Sequence, residues 1–291
     1  MVAPLATATV VLAAAVFWSG LDWSRKALAG RLDAEPLLVG LTLAPLPLFL
    51  GWYFWQGGGW PASGYWAPGL TSVALNCLAN IAFLRALAVS PLSVTVPLLS
   101  LTPAFTALLA VPMLGERPGL LQTVGILAVV TGAFLITLQQ GDSPSVVLAA
   151  FRRERGAMLM AGVAFLWSIA LPLDKLAIQQ APAPFHAAML NGGVAALVLL
   201  RLAAVGRVGE LRGLRHVGPA FVTALLCSFG GLSFQLLAIQ RAPVGVVETV
   251  KRGMGSAMAL LVGRAMFAEH LPPHRIAAAF LMACGVACIL M

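Results

Sequence analysis

Glu248, Lys251 and Arg252 stand inside an otherwise apolar stretch at spacings of three and four. On an α-helix those spacings put all three on one stripe, with Gly255, Ser256 and Ala259 continuing it. If the helix begins near Val244, Arg252 lies about 12 Å in, at a rise of 1.5 Å per residue. Charges at such depth in apolar surroundings are costly and face a water-filled cavity or a partner. Pairing of Glu248 with Arg252 at i, i+4 leaves Lys251 to hold a carboxylate or phosphate of a ligand. The competing reading is an internal salt bridge that locks the helix, or a helix that begins later and keeps its charges near water.

Other polar residues are placed where they could meet a solute. Asn76 and Asn80 are one turn apart and offer amide donors and acceptors suited to a polar or zwitterionic ligand. Hydrogen bonding between helices explains them equally well, as it does Asn191 and Gln235. Trp18 and Trp167, each followed by a serine (Ser19, Ser168), can wall a pocket and donate one N–H apiece. Pro97 and Pro103, with Ser100 and Thr102 between them, loosen a helix ladder and offer free carbonyls and a hinge, and Pro172 does so further on. Asp22, Lys26 and Lys175 sit near helix ends, where snorkelling to water accounts for them. His270 and His274 are separated by Pro272-Pro273 with no further ligand nearby, so no zinc site is expected. The glycines lack the strand–loop–helix setting of a phosphate loop; Gly125, Gly132, Gly192, Gly193, Gly230 and Gly231 suit close helix packing.

The elements that must carry these residues follow from composition. The 291 residues are 60% hydrophobic and 10% charged, with mean hydropathy +0.94, whereas soluble chains carry about 25% charged residues. Disorder, a coiled coil and a disulfide scaffold are excluded on the same figures. What remains is a polytopic membrane protein of about 20-residue apolar helices. The net charge of +8 is scattered through short connections without a basic run, which excludes a nucleic-acid footprint. Cys77, Cys227, Cys284 and Cys288 all lie in apolar stretches, with no metal spacing. The N-terminus reads as an uncleaved first helix, since it has no basic region before its apolar run.

Turn signals divide the chain into spans at 3–26, 35–55, 66–88, 92–113 and 118–138, then 156–177, 184–204, 217–239, 244–266 and 274–291. Phe17-Trp18-Ser19 reappears as Leu166-Trp167-Ser168, Lys26 as Lys175, Pro91 as Pro243, and Glu116 as Glu269. Two homologous halves of five spans result, residues 1–138 and 156–291, joined by a linker at 139–155. An odd number of spans sends the second half into the membrane from the opposite side. The expected fold is therefore an all-α membrane protein of ten transmembrane helices arranged as two inverted-topology five-helix repeats, with a solute site where the repeats meet.

This plan, the Trp-Ser followed by Lys in the first helix of each half, and the Ser90-Pro91, Pro103 and Leu114-Gly115-Glu116-Arg117 pattern resemble the EamA-type transporters of the drug/metabolite transporter superfamily. The resemblance covers the whole chain. It implies transport of small metabolites, often export of amino acids or related compounds. Lipid-carrier translocators, drug exporters and nucleotide-sugar carriers are relatives. The chain departs from the pattern where Gly255-Ser256 replaces the Pro103 of the first half.

Read from its residues, the protein is expected to be a secondary transporter, not an enzyme, moving a small polar metabolite by alternating access, and the resemblance implies export of solutes such as amino acids. The alternative is translocation of a lipid-linked, phosphorylated or nucleotide-sugar substrate. The expected solute-binding residues are Trp18, Asn76, Asn80, Ser100, Trp167, Ser168, Asn191, Gln235, Glu248, Lys251 and Arg252, with Pro97, Pro103 and Pro172 as hinges. No cofactor, metal or nucleic-acid partner is expected. The partners are the solute and the lipid bilayer, and ten helices can form a complete pathway as a monomer. Proton coupling at Glu248 and facilitated diffusion both fit the residues. Of the eighteen basic residues, thirteen fall on odd-numbered connections and three on even-numbered ones. The positive-inside rule then puts both termini outside a bacterial inner membrane, whereas the resemblance implies cytoplasmic termini.

Overall fold

In lipid every backbone N–H and C=O must be satisfied within the protein, so an apolar chain of this kind crosses as helices. The computed structural model describes residues 4–29, 31–89, 96–137, 155–216, 218–267 and 273–290. All regular structure among these residues is helical. The first half holds α1 (Pro4–Ala29), α2 (Ala34–Leu43), α3 (Leu46–Trp55), α4 (Trp66–Val89), α5 (Thr102–Leu114) and α6 (Leu120–Thr137). The second holds α7 (Arg155–Ile178), α8 (Ala183–Ala204), α9 (Pro219–Ile239), α10 (Val244–Phe267) and α11 (Pro273–Leu290). Short 3-10 segments at Ser63–Tyr65, Val96–Leu101 and Val208–His216 lead into α4, α5 and α9.

Among the described residues, six stretches are long and apolar enough to cross a membrane: Ala6–Ala29, Ala34–Trp55, Ser63–Val89, Arg155–Ile178, Ala183–Ala204 and Pro219–Ile239. Leu98–Leu114, Leu120–Leu135 and Ile276–Ile289 are apolar but shorter. α10 has the length of a span, with Glu248, Lys251, Arg252 and Arg264 within its 24 residues. The protein is thus a multi-pass membrane protein.

Two expected spans differ in detail. The second is not one helix over 35–55: it breaks at Ala44-Pro45, where α2 ends and α3 begins, because proline lacks the N–H the ladder needs and crowds the carbonyl four residues back. Of the fourth, residues 92–95 lie outside the described residues, and the part that follows opens as a 3-10 segment rather than an α-helix. Pro97 falls in the 3-10 segment Val96–Leu101, and Pro103 occupies the first turn of α5, where a missing N–H costs nothing. Pro103 therefore starts a helix rather than kinking one. Pro172 is buried inside a continuous α7. Gly115 closes α5 in the left-handed conformation at φ 70°, with its N–H on the Val111 carbonyl, a common helix end. Of the expected linker 139–155, only Arg155 is described. The Ser90-Pro91 and Glu269-His270 motifs lie outside the described residues.

The packing carries the repeat. α1 lies against α9 and α10, and α7 lies against α4 and α5. Exchanging the two halves converts each of these pairings into the other. α2 and α3 pack on α8, α5 on α10, and α6 on α11, so each of these spans meets its own counterpart. Small residues permit the approach: a Cβ at Gly230 would stand 2.7 Å from Phe17 of α1, and one at Gly193 2.7 Å from Val73 of α4. Gly192 and Gly231 meet only ordinary contacts. At the other end of the bundle from the Tyr65 loop, buried Glu35 gathers Arg85 (2.6 Å) and Arg201 (3.2 Å).

The tightest joint is α6 on α11. A Cβ at Gly125 would stand 2.6 Å from the Gly285 backbone oxygen, and one at Gly132 2.8 Å from that of Ala278. Backbone cannot yield as a side chain can, so Gly125→Ala should lower stability by about 1–3 kcal/mol. Gly162→Ala, at a position in α7 with nothing within 4 Å, should be neutral or stabilise by up to about 1 kcal/mol. Thermal unfolding of the detergent-purified variants checks both; equal melting temperatures for the two would show that α6 and α11 do not pack this closely.

Candidate functional site

The α10 stripe forms as the spacing requires, but its charges are shared differently. Glu248 accepts from Arg252 Nε at 2.7 Å and holds Lys251 Nζ at 2.5 Å. Lys251 also donates to Gln235 Oε1 of α9 at 2.9 Å. Lys251 is therefore not left over by a Glu248–Arg252 pair. A carboxylate has two oxygens, and cations at i+3 and i+4 straddle it. Glu248 and Lys251 are buried.

Aromatic rings stand beneath these cations. Lys251 Nζ lies 5.1 Å from the centre of the Trp18 ring, and the Arg252 guanidinium 5.3 Å from that of Trp167. The two tryptophans that repeat between the halves thus receive Lys251 and Arg252 of α10, in cation–π geometry. Arg252 also lies 3.9 Å from Asp22, which pairs with Arg25 at 3.6 Å. Arg25 is buried and rests over Trp18 and Phe83. It does not snorkel, nor does it belong among the loop charges, although removing it leaves the odd-sided excess of basic residues in place. Asp22 too is a wall residue rather than an interfacial one.

From Arg25 the polar chain passes into the first half. Arg25 donates to Asn80 Oδ1 at 3.1 Å, Asn80 Nδ2 to the Asn76 carbonyl at 2.8 Å, and Asn76 Nδ2 to Ser72 Oγ at 3.1 Å. Ser72 Oγ donates to Asp174 Oδ1. Between Gln235 and Asp174 the chain crosses α9, α10, α1, α4 and α7.

These groups surround a narrow cavity of about 40 Å³. Trp18, Asn76, Trp167, Gln235, Glu248, Lys251 and Arg252 of the expected residues line it, together with Asp22, Asp174, Ala170 and Leu171. Asn80 stands behind the wall through its bond to Arg25. Ser168 donates to the Phe165 carbonyl and Asn191 to that of Ala187, each within its own helix. Ser100 is buried in its 3-10 segment, away from the lining. Asn191 thus bonds within its own helix rather than between helices, and Ser168 does likewise.

Asp174 and its neighbour His186 (3.1 Å) were missed in the sequence. The signal was available. Asp174 is four residues before the end of α7 and His186 three after the start of α8, so a tight helical hairpin brings them to one depth. Lys175, beside Asp174, turns the other way: it pairs with Glu116 at 2.5 Å and donates to the Ala242 carbonyl at 2.9 Å. Glu116 also accepts the Val244 N–H at 2.8 Å. Glu116 and Lys175 thus fasten the start of α10 to the end of α7. Lys26, the counterpart of Lys175, donates to the Leu87 carbonyl at 3.2 Å. Among the described residues no cluster of His, Cys, Asp and Glu has the arrangement of a metal site.

The model of the EamA-like transporter family matches the chain twice, over residues 5–138 and 154–291. No curated protein matches. Among solved structures, one described as "Crystal structure of protein" superposes with a TM-score of 0.73 at 16% identity, over 98% of this chain and 97% of its own. At that identity the likeness concerns the fold alone.

The shared carboxylate sets an expected outcome. Removing one member of a buried ion cluster leaves the others uncompensated, at about 3–5 kcal/mol. Glu248→Gln should therefore destabilise the purified protein by about 3 kcal/mol in thermal or denaturant unfolding. Adding Lys251→Met should restore half or more of that loss. A Glu248→Gln variant as stable as the parent would mean the cations need no carboxylate.

Proposed function

Since the chain belongs to the EamA-like transporter family, membrane transporters of the drug/metabolite superfamily, we propose that it exports a small zwitterionic metabolite of the amino-acid type. One observation carries this reading: the cavity walls are charged unequally. On the α1 and α10 side, Lys251 and Arg252 of the lining, with Arg25 buried behind it, stand against Asp22 and Glu248, so the cluster around that wall holds one cation in excess. Across the cavity, Asp174 has no lysine or arginine partner among the described residues. A solute carboxylate fits the first wall and a solute ammonium the second. The buried Trp18 Nε1, without a partner among the described residues, supplies a further donor for the carboxylate.

The transport cycle is alternating access between two repeats. α2 and α3 together make one span, residues 96–114 another, and α6, α10 and α11 one each, giving ten. Five spans per repeat make the repeats inverted, and both termini share one side. A cavity of about 40 Å³ is well short of the roughly 300–1,000 Å³ of ligand pockets, which supports a closed conformation that must open to admit solute. The binding residues are Trp18, Asn76, Trp167, Gln235, Glu248, Lys251 and Arg252, joined by Asp22 and Asp174. The protein acts as a monomer in a bacterial inner membrane, with its basic odd-numbered connections in the cytoplasm. A phosphorylated or lipid-linked solute is the second reading, favoured by the excess cation alone.

Proteoliposomes loaded with a labelled mixture of L-amino acids test the proposal. Export of amino acids, but not of their methyl esters or the corresponding α-keto acids, is the expected result. Lys251→Ala should weaken apparent affinity about tenfold or more, the loss of a charge-assisted hydrogen bond worth about 1.5–3 kcal/mol. Flux of sugar nucleotides, or scrambling of labelled lipid headgroups, with no amino-acid flux would move the assignment to the second reading.

A further inference from the structure

The end of the bundle away from the Tyr65 loop carries more arginines than its acids can hold. Three acids stand there among the described residues, Asp33, Glu35 and Glu210, and three arginines take them all. Arg85 and Arg201 both donate to Glu35 Oε1, at 2.6 and 3.2 Å. Arg207 binds Glu210 at 2.5 Å and Asp33 at 3.0 Å, and stands 4.0 Å from the second Glu35 oxygen. Asp22, nearer the cavity, is turned to Arg25 and Arg252. No acid is left for Arg31, Arg212 and Arg215, which are exposed and have no ion-pair partner among the described residues. In sequence the other odd-numbered connections are also more basic than acidic: Arg152, Arg153 and Arg155 outnumber Asp142 and Glu154, and Arg264 and Arg275 outnumber Glu269.

The segment that carries two of these arginines sets the face they share. A 3-10 helix has three residues per turn, so side chains at i and i+3 eclipse. Over Val208–His216 that puts Leu211 and Leu214 on one line and Arg212 and Arg215 on another. Leu214 fills the notch at Gly40 of α2, where a Cβ would stand 2.5 Å from it, and Leu32 does the same at Gly213. Leu211 and Leu214 are accordingly half-buried, while Arg212 and Arg215 are exposed, about 6 Å apart along the axis. Arg31 joins them from the α1–α2 link, its Nη1 4.0 Å from where a Cβ of Gly218 would stand. The segment begins four residues after α8 ends at Ala204 and stops three before α9 begins at Pro219. It therefore lies at the level where the spans leave the hydrocarbon. The Glu35 cluster fixes it there: Arg207 ties its start to Asp33, and Arg85 and Arg201 tie α4 and α8 to α2. Like charges held on one face repel one another unless an anion lies against them.

We propose that Arg31, Arg212 and Arg215 form a docking face for the headgroups of anionic phospholipids. A guanidinium fork takes phosphate oxygens in pairs. Basic clusters beside the ends of membrane spans gather anionic lipid, at about 1 kcal/mol for each arginine or about fivefold in affinity. Val205 and Val208, half-exposed at the start of the segment, give it an apolar edge to lay on acyl chains. A sheet of phosphates at the membrane surface fits three guanidiniums spread along a segment better than one small anion does. The solute of the central cavity plays no part in this contact, which holds whatever the protein transports.

Native mass spectrometry of the detergent-purified protein, titrated with phosphatidylglycerol or phosphatidylcholine, tests the proposal. Phosphatidylglycerol should bind more tightly, with a preference that shrinks as ammonium acetate is raised. Arg31→Gln, Arg212→Gln and Arg215→Gln should each weaken phosphatidylglycerol binding about fivefold, and the triple variant about a hundredfold. Arg155→Gln, at an exposed arginine of another odd-numbered connection, should leave it unchanged. Phosphatidylglycerol should raise the melting temperature of the wild type and not of the triple variant. Without lipid the two should melt together, because the three side chains have no ion-pair partner to lose. Wild-type affinity for phosphatidylglycerol in the triple variant overturns the proposal, as does equal binding of phosphatidylcholine. An equal loss in Arg155→Gln overturns it too, by showing diffuse charge in place of a face. Displacement of the lipid by soluble glycerol phosphate at a similar concentration overturns it in favour of a small-anion site.

Discussion

One buried carboxylate organises the centre of this protein. Glu248 holds Lys251 and Arg252 on the same helix, and neither cation is content with a half share. Lys251 turns to Gln235 and the Trp18 face, and Arg252 to Asp22 and the Trp167 face. These partners sit on three other helices, so the need to neutralise α10 draws α1, α7 and α9 about one point. Desolvation of ions costs more than a single contact returns, which is why the cluster grows until it runs through Arg25 and Asn80 to Asp174 rather than ending at one salt bridge. The cavity lies where this chain cannot be closed by apolar packing.

The twofold character of the bundle makes that arrangement possible. Trp18 and Trp167 are equivalent residues, yet they receive different cations because only the second half carries Lys251 and Arg252. The equivalent position in the first half, near Ser100, is a 3-10 turn leading to Pro103. Symmetry therefore supplies the frame and its breach supplies the chemistry. At the joints Lys175 meets both Glu116 and the Ala242 carbonyl, and its counterpart Lys26 meets the Leu87 carbonyl.

Much of this could be read from residue types and spacing, and the remainder could not for identifiable reasons. Membrane class, helix placement and repeat follow from long apolar runs and recurring short motifs, signals that survive without tertiary context. The α10 stripe is likewise local, since helical period alone puts Glu248, Lys251 and Arg252 together. Their partition is not local: whether Lys251 is spare depends on Gln235 and on which carboxylate oxygen each cation reaches. Asp22 and Arg25 look interfacial by position, whereas in the fold Asp22 lines the cavity and Arg25 is buried behind it. Prolines mislead for a similar reason. Pro45 interrupts a helix because the backbone ladder fails locally and Pro97 falls in a 3-10 segment, while Pro172 is accommodated inside α7, and the side-chain sequence around them does not distinguish these fates. Asp174 and His186 escape notice because their partnership runs across a hairpin rather than along a helix.

The exchange of partners between halves bears on how the chain is made. α1 finds its principal neighbours in α9 and α10, elements translated some two hundred residues later. Until they emerge, Asp22 and Arg25 of the first helix have only one another as charged partners, and Trp18 lacks the Lys251 it meets in the finished fold. The insertion machinery must therefore tolerate an unfinished polar face for most of synthesis, and assembly becomes a closing step rather than a stepwise accretion of helices. A ribosome stalled after the sixth helix would leave a product that is inserted but cannot mature, a natural substrate for membrane quality control.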